Sequence, residues 1–186
     1  MSDEEAILSL LRALRAASIP CVLVGSLASS AYGIPRSTKD ADIVLNLEGR
    51  SIAEMTPHLP PPLRLDPQLS FEGVTGTYKA LVHVEGSDFE FELFFLSEDE
   101  HDQERFRRKR TVKRSGIEVD ILTAEDVIIS KLRWLQRIGR GKDRDDIHDV
   151  IAVQRDRLDW DYIHSWCDRH GTRALLDEIR ASIPTQ

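Results

Sequence analysis

Between Val22 and Val44 the chain reads VLVGSLASSAYGIPRSTKDADIV, an order of residues that few architectures accommodate. Pro20 stops a preceding helical pattern, and Cys21 to Val24 is a short apolar run bounded by Pro and Gly, as a buried strand is. Gly25-Ser26 then opens a helix of small residues, Leu27 to Tyr32. The chain returns through Gly33, Pro35 and Arg36 to Asp40-Ala41-Asp42, where a second strand, Ala41 to Leu45, begins. Strand residues two apart share a face, so Asp40 and Asp42 project together. In the first turn of the helix, free backbone N–H groups and the positive end of the dipole suit a phosphate, and Gly25 permits close approach.

Each piece alone is common. An Asp-x-Asp pair also arises as two wet acids at a strand edge, and Gly-Ser as an ordinary turn with a serine cap. The meaning lies in the order: strand, Gly-Ser, helix, then Asp-x-Asp opening the next strand. Paired carboxylates facing a phosphate-binding turn suit Mg2+, or Mn2+, because hard ions take carboxylate oxygens together with substrate phosphates. A third carboxylate from a neighbouring strand would complete a metal site for in-line displacement at a nucleotide phosphate. Phe89, Phe91, Leu93 and Phe95 alternate with Glu90, Glu92 and Phe94, so both glutamates share a face. Glu92 is the expected third ligand and Glu90 the alternative.

Around this centre the elements alternate. Ile7, Leu8, Leu11 and Leu14 follow Ser2-Asp3-Glu4-Glu5 with helical spacing, predicting a capped helix to about Ser18. A helix from Ser51 to His58 ends at the rigid Pro60-Pro61-Pro62, and strands Tyr78 to Glu85 and Phe89 to Leu96 flank a Gly86-Ser87 turn. Five acids between Glu98 and Glu104 precede seven bases between Arg105 and Arg114. Their plainest form is a solvated hairpin; their functional form is an electrostatic guide for tRNA or another RNA. A strand from Ile117 to Leu122 leads into helices Thr123 to Ile138, Asp143 to Gln154, Trp160 to His170 and Thr172 to Ile183. The expected fold class is α/β (α+β): a mixed, twisted sheet with flanking helices, mainly on one face, as a catalytic core over 1–122 and a helical region over 123–186.

Lys131 lies four residues after Val127 and four before Leu135, inside the apolar stripe of its helix. It either snorkels or meets an anion, and beside an acidic metal site that anion is a nucleotide triphosphate. Asp143 and Asp146 precede a helix, as capping acids do; Asp143 is also a candidate beside the nucleotide. Arg36 and Thr38 either orient phosphates or brace the loop that carries Asp40. The six histidines lack metal-ligand spacing, and the three tryptophans sit at helical packing positions.

With 186 residues, 41% hydrophobic and 31% charged, the chain can bury a core of its own. Its net charge of −7 argues against nonspecific coating of nucleic acid, though not against a local basic patch. No apolar run reaches membrane-span length, the N-terminal residues do not read as a signal peptide, and Cys21 and Cys167 are expected as reduced thiols of a cytoplasmic protein.

These residues together resemble the nucleotidyltransferase superfamily with the DNA polymerase β-like fold, in particular small bacterial members related to AbiEii-type toxins. That superfamily carries a hydrophobic residue, Gly and Gly or Ser, then two acids separated by one hydrophobic residue; Val24-Gly25-Ser26 and Asp40-Ala41-Asp42-Ile43 match it. Gly33, Arg36, Thr38 and Asp40 match the GxxRxTxD stretch of the AbiEii-like branch. The FELF stretch around Glu92 is similar to the strand bearing the family's third acid, where many relatives have Asp. Thr123 to Leu132 and Gly141 to Ile147 resemble two later family elements. The resemblance implies a magnesium-dependent transfer of an NMP group from an NTP to an RNA, protein or small-molecule acceptor. Asp40, Asp42 and Glu92 would be catalytic and metal-binding, and Gly25, Ser26, Arg36, Lys131 and Asp143 would hold the nucleotide. It also implies a narrower reading, a toxin with an antitoxin protein as partner. An inactive nucleotide-binding or partner-binding module is the alternative.

Overall fold

Ser2 caps the first helix, α1 (Asp3–Ala16), through a reciprocal box with Glu5, and Ile19-Pro20 then turns the chain into β1 (Cys21–Leu23). The computed structural model describes residues 1–184. After β1 come α2 (Gly25–Tyr32), β2 (Asp40–Leu45), a 3-10 helix (Ile52–His58), β3 (Leu63–Leu65), β4 (Ser70–Glu72), β5 (Thr77–Val84) and β6 (Glu90–Phe95). Then follow α3 (Glu100–Arg108), β7 (Arg110–Arg114), β8 (Ile117–Ile121), α4 (Ala124–Ile138), α5 (Gly141–Gln154), α6 (Trp160–His170) and α7 (Arg173–Ala181).

The strands form one eight-stranded sheet in the order β3-β5-β6-β2-β1-β8-β7, with β4 paired to β5. It is mixed: β2 runs parallel to β6 and β1 parallel to β8, while β1 and β2 are antiparallel. This is the expected α/β fold class, with one difference in layering. Helices cover both faces. Ala41, Ile43 and Leu45 of β2 point into a core with α1 and the 3-10 helix, whereas Val44 points into a second core with α2 and α4 to α7. Two-residue alternation along β2 therefore sends Asp40 and Asp42 toward the α4 side.

A second difference concerns the charged stretch after Leu96. Residues 100–108 form α3, and only β7 with β8 makes the expected hairpin, turning at Ser115-Gly116. The inward face of α3 is His101, Asp102 and Arg105, all buried. Arg105 Nε lies 2.8 Å from Asp102 Oδ1, and Ser97 Oγ donates to Asp102 Oδ2 at 2.6 Å. A helix buried through paired charges leaves no apolar period to read. Strands β3 and β4 are likewise too short to show alternation.

Candidate active site

Gly25 explains how the phosphate turn and the acidic strand meet. Its φ is +56°, and a Cβ on it would stand 1.8 Å from Asp42 Oδ2. Any side chain would collide with that carboxylate, so the glycine lets the start of α2 close onto β2. The backbone joins the same elements: Val24 N–H donates to the Asp42 carbonyl at 2.9 Å.

The parallel pairing of β2 with β6 sets Asp40 beside Glu90 and Asp42 beside Glu92. Asp40, Asp42 and Glu92 line one cavity of about 200 Å³, together with Gly25 and Ser26. Lys131 and Asp143 line it from the helical side. Glu90 stands outside, its side chain 42% exposed and 3.6 Å from His83 Nδ1. Geometry thus favours Glu92 over Glu90 as the third acid of the cavity. Burial, then the negative charges of Asp40 and Glu92, push the Asp42 carboxyl up to about 6. Thr38 Oγ1 donates to Asp40 Oδ1 at 2.5 Å, holding that side chain on the loop leading into β2.

The remaining expected residues take supporting positions. Arg36 does not line the cavity. It forks onto Asp146, with Nε 2.8 Å from Oδ1 and Nη2 3.0 Å from Oδ2, and Nη2 also donates to Ser26 Oγ at 2.7 Å. It braces the turn of α2 against α5 from just outside the cavity lining. Lys131 is buried, with Nζ 2.9 Å from Asp143 Oδ1 and 2.6 Å from Asp146 Oδ2. Burial alone would raise the Asp146 carboxyl; the hydrogen bonds from Arg36 and Lys131 outweigh it and hold Asp146 below its ordinary value. Asp143 also accepts from Arg140 Nε at 2.9 Å, and both aspartates lie within α5 rather than ahead of it.

Three further lining residues bear on the chemistry of the cavity. Lys142, at the start of α5, has no carboxylate partner among the described residues, so its charge faces the cavity uncompensated. Trp134 packs edge-on to Phe94, their centroids 6.4 Å apart, and gives the cavity an apolar wall. Lys79 of β5 places Nζ 2.5 Å from Glu92 Oε1. A Gly-Lys pair near a predicted helix start and a lone cation in an apolar strand were the available signals.

Among the described residues, no three acidic, histidine or cysteine side chains are grouped ready to hold an ion. Glu92 is engaged by Lys79, while Asp40 and Asp42 have no ion-pair partner among the described residues. Their chemistry fits a hard divalent cation, since the strain that burial and neighbouring negative charge place on the Asp42 carboxylate is relieved by a positive charge.

The mixed sheet and its flanking helices match the fold of solved nucleotidyltransferases. The antibiotic-resistance factor ANT(2'')-Ia, in complex with adenylyl-2''-tobramycin, superposes with a TM-score of 0.63 over 90% of this chain and 96% of its own, at 14% identity. An antigenic nucleotidyltransferase-like protein from Paracoccidioides brasiliensis matches at 0.53, covering 99% and 95% with 20% identity. The lincosamide antibiotic adenylyltransferase LnuA, with lincomycin bound, matches at 0.52 over 81% and 97%, at 9% identity. No family model matches the sequence, and no curated protein matches it.

Proposed function

We propose that this protein is a nucleotidyltransferase. An acceptor oxygen attacks the α-phosphorus of an NTP, the bond to the β-phosphate bridge breaks, and pyrophosphate leaves. The observation that carries the reading is the contact between Gly25 and Asp42, which joins a phosphate-binding helix start to a carboxylate pair within one cavity.

In this reading the free N–H groups at the start of α2 hold the phosphates. Asp40 and Asp42 hold Mg2+ or Mn2+, which when bound supplies Lewis-acid polarisation and charge neutralisation at the reacting phosphate. Glu92 accepts the proton of the acceptor hydroxyl. Lys142 meets the departing pyrophosphate as a free cation, and Lys131, already shared by Asp143 and Asp146, holds the wall from which Lys142 projects.

A small acceptor fits better than RNA. Of the bases between Arg105 and Arg114, Arg105, Arg107, Arg108, Lys109 and Arg114 all stand against carboxylates, which removes most of the field an RNA guide needs. The fold neighbours solved with adenylyl-tobramycin and lincomycin also carry small molecules. The AbiEii-type toxin reading is a narrower form of the same chemistry and would show as growth arrest on expression, relieved by an antitoxin. The Lys79–Glu92 pair favours a second reading, a module that binds nucleotide without turnover, because it occupies the third acid.

The test is incubation of the protein with Mg2+, labelled NTPs and either total RNA or a small-molecule extract, with pyrophosphate release as readout. Transfer that falls about a thousandfold in Asp42→Asn, equivalent to about 4 kcal/mol of barrier, supports the proposal. Nucleotide binding without pyrophosphate release on any acceptor supports the module. Label appearing in RNA alone overturns the small-acceptor reading.

A further inference from the structure

Lys79 enters the acidic end of the cavity from a strand that carries none of the cavity's carboxylates. It sits on β5, on the far side of β6 from β2, and pairs across the sheet with Phe94. Its side chain lies on the same face as Glu92, one alternation away, and its Nζ reaches Glu92 Oε1 at 2.5 Å and stands 5.6 Å from the centre of the Phe94 ring. Lys79 and Glu92 are 24% and 26% exposed, sheltered enough for the pair to be firmer than a surface ion pair. Of the other bases of the cavity, Lys131 and Arg140 are directed to α5 aspartates and Arg105 to Asp102 and Ser130, while Lys142 stands free at the α5 side; none of them is paired with Glu92.

The charges at this end of the cavity can be followed. Asp40, Asp42 and Glu92 bring three negative charges, and Lys79 cancels one of them. Asp40 and Asp42 are left as a carboxylate pair with no ion-pair partner among the described residues, open to one divalent cation, while Glu92 is already held by an ammonium. Resting on the nucleotidyltransferase reading above, we propose that Lys79 stands in for a second metal ion: the site takes one divalent ion, on Asp40 and Asp42, and Lys79 keeps Glu92 on the β5 side. Lys79 is then a positioning residue acting through Glu92. Its ammonium leaves Glu92 Oε2 free to take the acceptor's proton while blocking that carboxylate from joining an ion.

The test counts metal ions rather than turnover. Crystals of the full chain are grown with Mn2+ and an α,β-methylene NTP, and the ions at the site are counted by anomalous scattering. One ion is expected in the wild-type protein, with Glu92 still on Lys79. Lys79→Met is expected to gain a second ion beside Glu92, and Lys79→Arg, which keeps the charge, to retain one. Two ions in the wild-type protein, or a single ion in Lys79→Met with Glu92 free, overturn the inference and leave the nucleotidyltransferase reading standing. No ion in the wild-type protein with the analogue bound overturns the metal site itself, and with it both readings.

Discussion

Asp42 and Asp126 are both carboxylates withdrawn from water, and their surroundings drive them in opposite directions. Asp126, at the start of α4, is fully buried and saturated with donors: Tyr162 OH at 2.7 Å, Thr123 Oγ1 at 2.7 Å and His101 Nε2 at 3.2 Å. Arg108 adds its charge, with Nε 3.5 Å from Oδ2 and its guanidinium 3.8 Å over the Tyr162 ring. Burial would raise Asp126, and these partners outweigh it, so the carboxyl stays below its ordinary value. Asp42 meets two other carboxylates and, among the described residues, no hydrogen-bonding donor side chain, and is pushed up to about 6. A buried charge supplied with all its partners ties α3, α4 and α6 together; one left without them is poised for a ligand's cation.

The strongest way to break this contrast is to remove the satisfied member. Asp126→Ala strands the His101, Tyr162 and Arg108 groups and is expected to cost about 3–5 kcal/mol, a fall in Tm of about 10 °C for a chain of this size. The check is thermal unfolding together with transfer per folded molecule. A large loss of transfer in the still-folded fraction would move Asp126 from scaffold to site. Next in size is Gly25→Ala. The new methyl must displace Asp42, and transfer is expected to drop about a hundredfold or more, the usual consequence of an ångström of misplacement. Steady-state kinetics with Asp42→Asn alongside would show whether the two lesions act through one carboxylate.

The unsatisfied member predicts the opposite sign. Because its folded pKa is about 6 against an ordinary 3.8, the folded, ligand-free protein takes up a proton on Asp42 as pH falls between those values. Its ionised form costs stability above pH 6, and that cost is gone below about 4. Asp42→Asn is therefore expected to stabilise the metal-free protein by about 2 kcal/mol at pH 7 to 8, with the gain fading toward pH 4. Denaturant unfolding in EDTA across that range measures it. A gain independent of pH would mean that lost packing strain, not charge, separates the two proteins. The other cluster should titrate the other way. Burial, then the charge of Arg133, lowers His170 to about 4, so its contribution is lost as pH falls below 6.5.

How much of this was readable in advance follows the range of each interaction. The turn at Gly25 and the two aspartates are local, and α4 runs from its Thr123 cap to a left-handed Gly139, as its end signals suggest. The apolar stripe around Lys131 likewise marked that lysine as unusual. Lys79 stood out only as a lone cation in an apolar strand, and its partner was not readable because it lies across a strand pair whose register no short pattern specifies. The inward face of α3 was hidden because its burial depends on charges contributed by α4. For Arg36 the sequence left phosphate ligand and brace both open, and its partner Asp146, 110 residues further along the chain, was beyond the reach of any local pattern.

That brace sets the smallest expected effect and the finest test of the contrast, because Arg36 links the start of α2 to the scaffold without entering the cavity. Its fork spans Asp146 and Ser26 at once, a geometry that a lysine's single ammonium does not reproduce. Arg36→Lys keeps the charge and loses the second contact, and is expected to cost about 1 kcal/mol of stability, below the usual worth of a charged hydrogen bond because the guanidinium is a third exposed. Affinity for an α,β-methylene NTP should weaken a few-fold, through the loosened Ser26 turn, while the proton affinity of Asp42 stays as it is. Calorimetric titration with the analogue, run beside the EDTA unfolding series, separates the two. A brace lowers nucleotide affinity only modestly, whereas a direct phosphate ligand lost at this position would lower it by an order of magnitude or more.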